Sequence, residues 1–144
     1  MTKNLDYGKY IDHTVLKADT IEDTIKRFCK EAKEYKFASV CVNPYWIKTV
    51  AEELKGSDVK ACAVIGFPLG ANKSEIKALE SKLAIEDGAS EIDIVINIGA
   101  LKDKKYEYVL NEIKQVVEIA HPNVIVKVII ETSALNEAEK IKAC

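Results

Sequence analysis

The fold of this chain is decided by two apolar runs, IDIVIN at residues 92–97 and VIVKVIIE at residues 124–131. Each run has the length of a buried strand, yet each carries a charged side chain in its interior, Asp93 in the first and Lys127 in the second. Burying an unpaired charge is strongly unfavourable, so a strand that keeps one gives it a partner or a chemical task. The two charges therefore predict a functional site inside a sheet.

Strand-length apolar runs alternate with amphipathic stretches of helix length along the sequence. The pattern predicts strands at residues 11–16, 38–43, 59–67, 91–98 and 124–131. It predicts helices at residues 20–35, 44–55, 72–87 and 104–120, and the start of another near Asn136. Because β-branched strands are separated by helices, we expect an α/β fold with a parallel sheet, either a (β/α) barrel or a doubly wound open sheet.

The composition indicates a single domain over residues 1–144, because a chain that is 48% hydrophobic can bury one core at this length. A net charge of -2 without a basic block argues against nucleic acid as a partner. Residues 1–7 lack an apolar signal core, and no apolar run reaches the roughly 20 residues of a membrane helix. We therefore expect a soluble, cytoplasmic protein with no membrane partner. The cysteines lack Cys-x-x-Cys spacing, so we also expect reduced thiols and no metal: Cys29, Cys41, Cys62 and Cys144.

Side chains alternate across a strand, so each predicted strand divides into two faces by residue parity. In every strand except the third, one of the two faces is polar. If this face lines a barrel, eight side chains converge on one cavity: Asp12, Thr14, Cys41, Asn43, Asp93, Asn97, Lys127 and Glu131. Since a barrel carries its active site at the carboxyl ends of its strands, this set predicts a site of carboxylates, amides and a lysine.

Simpler interpretations of these residues remain open. A structural ion pair between strands accounts for Asp93 and Lys127 as well as catalysis does. His13 falls on the opposite parity, which predicts a packing role against helices. Cys41 also fits the role of a small buried hydrophobic residue, and the turn GFPLG at residues 66–70 lacks the spacing of a nucleotide-binding loop.

Five motifs resemble, in the same order, those of the 2-deoxyribose-5-phosphate aldolase family: IDHTVLK at residues 11–17, SVCVNP at 39–44, VIGFPLG at 64–70, EIDIVINIGAL at 91–101 and VKVIIET at 126–132. The departures are small, with Ala18 where the family usually has proline and Asp103 where a Ser-Gly is common. The resemblance implies a (β/α)8 barrel of the TIM type and a class I aldolase, which needs no metal or other cofactor.

The activity that the resemblance implies is the reversible cleavage of 2-deoxy-D-ribose 5-phosphate to D-glyceraldehyde 3-phosphate and acetaldehyde, a step of deoxyribonucleotide breakdown. A lysine forms a Schiff base with the carbonyl group and lets the neighbouring carbon-carbon bond break. Asp93 matches the proton-shuttling acid of the family, and Lys127 matches a supporting lysine. Asp12 and Thr14 match polar residues near the substrate, and parity adds Cys41 and Asn43 to that wall. The expected partners are thus phosphorylated sugars and aldehydes.

The resemblance is incomplete in extent. In the family, the Schiff-base lysine lies on the sixth strand in a Lys-Thr-Ser-Thr-Gly motif, and phosphate is held near strands seven and eight. A TIM barrel takes about 250 residues, whereas this sequence supplies about five βα units. We therefore expect the N-terminal part of a barrel without the Schiff-base lysine, inactive alone and able to form a homo-oligomer through exposed sheet edges.

Two other functions also fit parts of the sequence. In a shortened aldolase, Lys127 itself would be the nucleophile, with its pKa lowered by burial. In a non-catalytic, doubly wound signalling or binding domain, five βα units and a lysine on the fifth strand would also occur. Such a domain should end its third strand with a phosphorylatable aspartate, whereas this sequence has IGFP at residues 65–68.

Overall fold

A computed structural model describes residues 7–144 of the chain as one sheet with helices packed on one of its faces. The strands are β1 (Asp12–Val15), β2 (Ser39–Val42), β3 (Lys60–Ile65), β4 (Glu91–Val95) and β5 (Ile125–Ile129). The helices are α1 (Glu22–Tyr35), α2 (Ile47–Glu53), α3 (Ser74–Glu86), α4 (Ile98–Lys102), α5 (Tyr106–Ala120) and α6 (Glu137–Ala143). Short 3-10 helices occur at Tyr7–Tyr10, Pro44–Trp46 and Thr132–Ala134. Residues 1–6, for which the sequence predicted no signal segment, lie outside the described range.

The five strands are all parallel and follow one another in the order β1-β2-β3-β4-β5. A doubly wound sheet reverses its strand order at a switch point, and this sheet has no reversal among the described strands. The sequential order is that of a (β/α) barrel. The expectation of about five βα units of a barrel is confirmed, and the doubly wound alternative is wrong.

The sheet is strongly curved, as a contact between its first and last strands shows. Neighbouring strands lie about 4.8 Å apart, so four steps across a flat sheet would separate β1 from β5 by about 19 Å. Nevertheless, Nζ of Lys127 on β5 lies 2.6 Å from Oδ2 of Asp12 on β1. The polar face is therefore the concave side of a partly closed barrel.

The main core lies between the convex face of the sheet and the helices. It contains the β-branched residues of one parity from β2 and β4, including Val40, Val42, Ile92 and Ile94, which are fully buried. His13 also belongs to this side: its ring stacks on Phe28 at a centroid distance of 4.1 Å. Nε2 of His13 forms a 2.7 Å hydrogen bond with Glu31. The packing role that parity predicted for His13 is confirmed.

The fourth strand is shorter than its apolar run predicted, because a short helix begins directly after it. The side chain of Asn97 accepts a 2.9 Å hydrogen bond from the backbone N–H of Ala100 and caps α4. The apolar residues 98 and 100–101 consequently belong to this helix, and several of them pack in a second core cluster under α5. No helix among residues 7–144 has the length and apolar character needed to cross a membrane.

A fully buried ion pair joins α3 to α5. Nζ of Lys77 lies 2.9 Å from Oε1 of Glu112, and both side chains are inaccessible to solvent. The same ammonium group donates a 2.8 Å hydrogen bond to the carbonyl of Val95. Oε2 of Glu112 accepts a 3.0 Å hydrogen bond from the backbone N–H of Asn97. The pair therefore holds the backbone at the carboxyl end of β4.

The side chain of Lys77 also packs against Gly66, which directly follows β3. Gly66 has a φ of 64°, and a Cβ atom placed there would lie 2.8 Å from Cε of Lys77. The backbone N–H of Gly66 donates a 2.8 Å hydrogen bond to Glu80, also on α3. Helix α3 thus positions the ends of both β3 and β4 at the carboxyl edge of the sheet, where a barrel carries its active site.

We predict that Lys77→Met lowers the free energy of unfolding by about 3–5 kcal/mol, because it leaves the Glu112 charge buried without a partner. Urea unfolding followed by far-UV circular dichroism measures the change. The matched control is Lys82→Met on the same helix, whose exposed ammonium lies 3.9 Å from Glu86, and its effect should stay below about 0.5 kcal/mol.

A double variant, Lys77→Met with Glu112→Leu, removes both charges and should recover much of the lost free energy. Equal losses for Lys77→Met and Lys82→Met would contradict the structural role given to the pair.

Candidate active site

The centre of the concave face is a cluster of one ammonium group and three carboxylates. Nζ of Lys127 on β5 lies 2.6 Å from Asp12 on β1, 2.6 Å from Glu91 and 3.3 Å from Asp93, both on β4. Asp93 and Lys127 are Cα partners in the parallel register of β4 and β5. Paired residues on neighbouring strands point to the same face of a sheet, so both side chains lie on the concave face.

Asp12 is held at both of its carboxylate oxygens. Oδ1 accepts a 2.6 Å hydrogen bond from the hydroxyl of Ser39, which is fully buried on β2, and Oδ2 accepts one from Lys127. Thr14 donates through its hydroxyl to the backbone carbonyl of Asp12 at 3.1 Å. Asp12 is therefore a fixed anion that links β1 to β2 and β5.

The cluster keeps Lys127 in its charged form. Burial lowers the pKa of Lys127, but hydrogen bonds to Asp12 and Glu91 and the nearby charge of Asp93 outweigh burial and raise the pKa well above its ordinary value of 10.5. Burial likewise raises the pKa of Asp12, but the hydrogen bonds from Lys127 and Ser39 prevail and lower it. A permanent ammonium and a permanent carboxylate thus face each other.

Asp93 differs from Asp12 in that burial prevails. Desolvation raises the pKa of Asp93, and although Lys127 and the neighbouring thiol of Cys62 oppose the shift, the net pKa stays above its ordinary value of 3.8. Its Oδ1 is buried and has no hydrogen-bond partner of good geometry among the described residues. A carboxyl group with a raised pKa and a free oxygen is suited to accepting and returning a proton.

The floor beside Asp93 consists of Cys41, Cys62 and Val64, with Leu16 packed against them. Cys41 and Cys62 are Cα partners in the β2–β3 register, so their side chains point to the same face. The hydrogen bond to Cys41, together with burial and nearby negative charges, strongly raises the pKa of Cys62. This thiol therefore stays protonated and gives the site a weakly polar floor.

The structure brings together four of the residues predicted from the sequence: Asp12, Cys41, Asp93 and Lys127. The other four lie near the carboxyl ends of the strands or in the segments that follow, and they form hydrogen bonds with other groups. Asn43 donates a 3.2 Å hydrogen bond to the carbonyl of Leu16, Thr14 bonds its own strand, Asn97 caps α4 and Glu131 accepts from Ser133. These hydrogen bonds do not involve the carboxylate groups or the ammonium group of the cluster.

Three residues of the site were missed in the sequence. Glu91 has the parity of Asp93, and that signal could have revealed it, because it lies two residues earlier on the same strand. Ser39 has the parity of Cys41, two residues later on the same strand, but no sequence pattern identifies it as the partner of Asp12. Parity does not reveal Cys62, because the third strand has no polar face in the sequence, yet its thiol lies beside Asp93.

Comparison with known proteins gives a consistent result. The model of the "DeoC/LacD family aldolase" matches residues 8–143. The deoxyribose-phosphate aldolase of Clostridium tetani is 59% identical over 140 residues, which make up 97% of this chain and 65% of that protein. The deoxyribose-phosphate aldolase of a Geobacillus species is 59% identical over 137 residues, 95% of this chain and 61% of that protein. The chain thus spans less than two thirds of these relatives.

Solved structures show the same likeness in three dimensions. An aldolase named QR15 superposes with a TM-score of 0.88 at 43% identity, covering 94% of this chain and 60% of that one. The deoxyribose phosphate aldolase of Aeropyrum pernix, described as tetrameric, superposes with a TM-score of 0.82 at 27% identity, covering 94% and 57%. The curved five-stranded sheet is therefore the shared architecture of these aldolases.

We predict that the Asp93 carboxyl titrates above 3.8 and the Asp12 carboxyl below it. Lys127→Met should raise both pKa values, since removal of a neighbouring cation disfavours each carboxylate and burial remains. Asp12 should then titrate above 3.8. Carbon-detected NMR of the carboxyl groups between acid and neutral pH measures these shifts.

Lys82→Met, which removes an exposed ammonium from α3, is the control and should leave both titrations unchanged. An Asp93 carboxyl that titrates below that of Asp12 would contradict the assignment of a fixed anion and a protonatable group.

Proposed function

Because the chain belongs to the DeoC/LacD family of aldolases, we propose that it supplies the proton-transfer half of a Schiff-base aldolase site. The proposed reaction is the reversible cleavage of 2-deoxy-D-ribose 5-phosphate to D-glyceraldehyde 3-phosphate and acetaldehyde, in the cytoplasmic breakdown of deoxyribonucleotides. The relatives named deoxyribose-phosphate aldolase support this substrate. The chemistry needs no cofactor, since a protein amine provides the electron sink.

The observation that carries the proposal is the contrast between Asp93 and its neighbours. Asp93 has a raised pKa and a buried oxygen that lacks a well-formed hydrogen bond within residues 7–144, whereas Asp12 and Lys127 stay ionised beside it. Two kinds of group, one protonatable and the others fixed, are what general acid-base catalysis requires. In the proposed mechanism, Asp93 donates a proton as the carbinolamine loses water. Its carboxylate then accepts the proton of the substrate hydroxyl as the carbon-carbon bond breaks, and returns that proton to the enamine carbon.

Lys127 supports this reaction as a cation. A Schiff base forms only from a neutral amine, and the raised pKa of Lys127 together with its three carboxylate contacts makes that form rare. We therefore propose that Lys127 stabilises the ionised form of Asp93 after proton transfer and is not the nucleophile. The nucleophilic amine of the proposed mechanism belongs to a part of the barrel that this chain does not contain.

The remaining predicted residues receive positioning roles in this proposal. Asp12 fixes the ammonium of Lys127 from the far side of the barrel. Thr14 lies near the end of β1, and Asn43 directly follows β2. The hydroxyl group of Thr14 and the amide group of Asn43 can contact the hydroxyl groups of a sugar phosphate. Cys41 contributes to the floor on which the small aldehyde portion would lie.

We predict that Asp93→Asn lowers retro-aldol turnover by about 10²–10⁴-fold, because the reaction loses its proton carrier. Activity is measured as acetaldehyde release in a chimera in which this chain replaces the matching segment of the Clostridium tetani aldolase. The matched control is Asp58→Asn, an exposed carboxylate just before β3 at the opposite end of the sheet, which should leave turnover unchanged.

The chimera also locates the Schiff base. After incubation with acetaldehyde and borohydride, peptide mass spectrometry should find the reduced adduct outside this chain, with Lys127 unmodified. An inactive chimera would contradict the proposed function, and a stoichiometric adduct on Lys127 would instead support the shortened-aldolase alternative.

We further propose that copies of the chain associate through β1 and β5, each of which pairs with one neighbour only within residues 7–144. Unpaired strand edges readily add further strands. Sedimentation velocity should therefore show species larger than a monomer. Val128→Lys on the edge strand β5 should shift them to monomer, whereas Ile141→Lys on α6 should not. A monomer at every concentration would contradict this association.

A further inference from the structure

The concave face holds a second group of potential ligand atoms, which shares Asp93 with the ion cluster. The sulfur atoms of Cys41 and Cys62 and a carboxylate oxygen of Asp93 all lie within 4.8 Å of one another. No motif in the sequence indicates this group, because Cys41 lies on β2 and Cys62 on β3. Only the parallel register makes them direct neighbours.

The two ligand groups around Asp93 are occupied differently. The oxygen group of Asp12, Glu91 and Asp93 already surrounds a cation, since Nζ of Lys127 lies within 3.3 Å of all three. In the sulfur group, only Asp93 forms an ion pair with Lys127, and neither thiol takes part in a salt bridge among the described residues. Asp93 Oδ1, which is buried, also lacks a hydrogen-bond partner of good geometry there. A buried carboxylate oxygen without a partner is an unsatisfied acceptor, and it favours a ligand that it can coordinate.

We propose that Cys41, Cys62 and Asp93 form a binding site for a thiophilic divalent cation of the Zn²⁺ and Cd²⁺ class. Two thiolates and one carboxylate are a donor set that such ions accept, with a fourth position left to water. Tetrahedral coordination requires ligand atoms about 3.5–3.8 Å apart, so the observed group, whose atoms lie within 4.8 Å of one another, needs to contract by about 1.3 Å at most.

The binding step is an exchange of protons for a metal ion. Each thiol releases its proton to solvent as a metal-sulfur bond forms, the carboxylate contributes an electron pair, and no group is oxidised or reduced. The setting favours a cation, because three carboxylates surround the single ammonium group of Lys127. Lys127, whose side chain is 39% exposed, marks the side on which the cluster meets solvent.

A bound ion would coordinate the carboxylate group of Asp93 and stop its proton transfer. This consequence rests on the proposed function, whereas the binding itself does not. Thiophilic ions would then inhibit the aldolase, and a chelator would restore its activity.

The test is a titration of the chain with Cd²⁺, followed by the ultraviolet charge-transfer absorption of cadmium-thiolate bonds. All samples carry Cys144→Ser, because that exposed thiol would bind metal on its own, and a phosphine keeps the other thiols reduced. We expect a single Cd²⁺ per chain and its charge-transfer band. Cys41→Ala and Cys62→Ala should each abolish tight binding. Cys29→Ala, at a thiol buried in the helix-facing core, should change nothing.

Asp93→Asn should keep the band and weaken the affinity at least about tenfold, as measured by competition with a chelating indicator. A second measurement needs no substitution of a buried cysteine. In the Cys144→Ser chain, buried thiols become accessible to an alkylating reagent only when the fold opens. Cd²⁺ should protect Cys41 and Cys62 from this alkylation, but not Cys29. Absence of the band, or a band that persists without both Cys41 and Cys62, would overturn the proposal. Neither result depends on the turnover of the chimera. The metal-site proposal and the proposed aldolase function can therefore be refuted separately.

Discussion

The contact between Lys127 on β5 and Asp12 on β1 is the interaction on which the architecture of the site depends. It spans the whole sheet, and it can form only because the sheet curls until its first and fifth strands face each other. The same curl brings the ends of β2, β3 and β4 toward one centre. Without it, the charged residues would lie on an extended surface, each solvated separately, and no shared site would exist.

The structure contains two groups of interacting charged residues that differ in their exposure to solvent. Lys77 and Glu112 are fully buried and use their oxygens and nitrogen on each other and on the backbone around β4. That pair is structural, since both side chains are inaccessible to solvent and therefore to a substrate. The cluster around Lys127 is partly open to solvent: the Lys127 side chain is 39% exposed, and Asp93 beside it has a raised pKa. This difference separates a structural ion pair from a candidate catalytic group, which the sequence alone could not do for Asp93 and Lys127.

Much of the site could be predicted from residue parity, because the alternation of side chains along a strand is a local property. Parity placed Asp12, Cys41, Asp93 and Lys127 on one face and His13 on the other, as the structure shows. Helix α3 shows where such local patterns fail. Its apolar residues Ile76, Leu79 and Leu83 are about half exposed, whereas Lys77 is fully buried. The reason is a partner on α5, which no pattern within α3 contains.

The sequence by itself determined the alternation of strands and helices, the parallel sheet and the face on which the polar residues lie. These features follow from short-range periodicity and from motifs that recur across a family of aldolases. The tertiary structure alone decided which of those residues meet. Asp12 and Lys127 are separated by most of the chain, and Cys41 meets Cys62 through strand register. Contact between distant residues depends on the curvature and register of the sheet, and these are set by the packing of all its elements together.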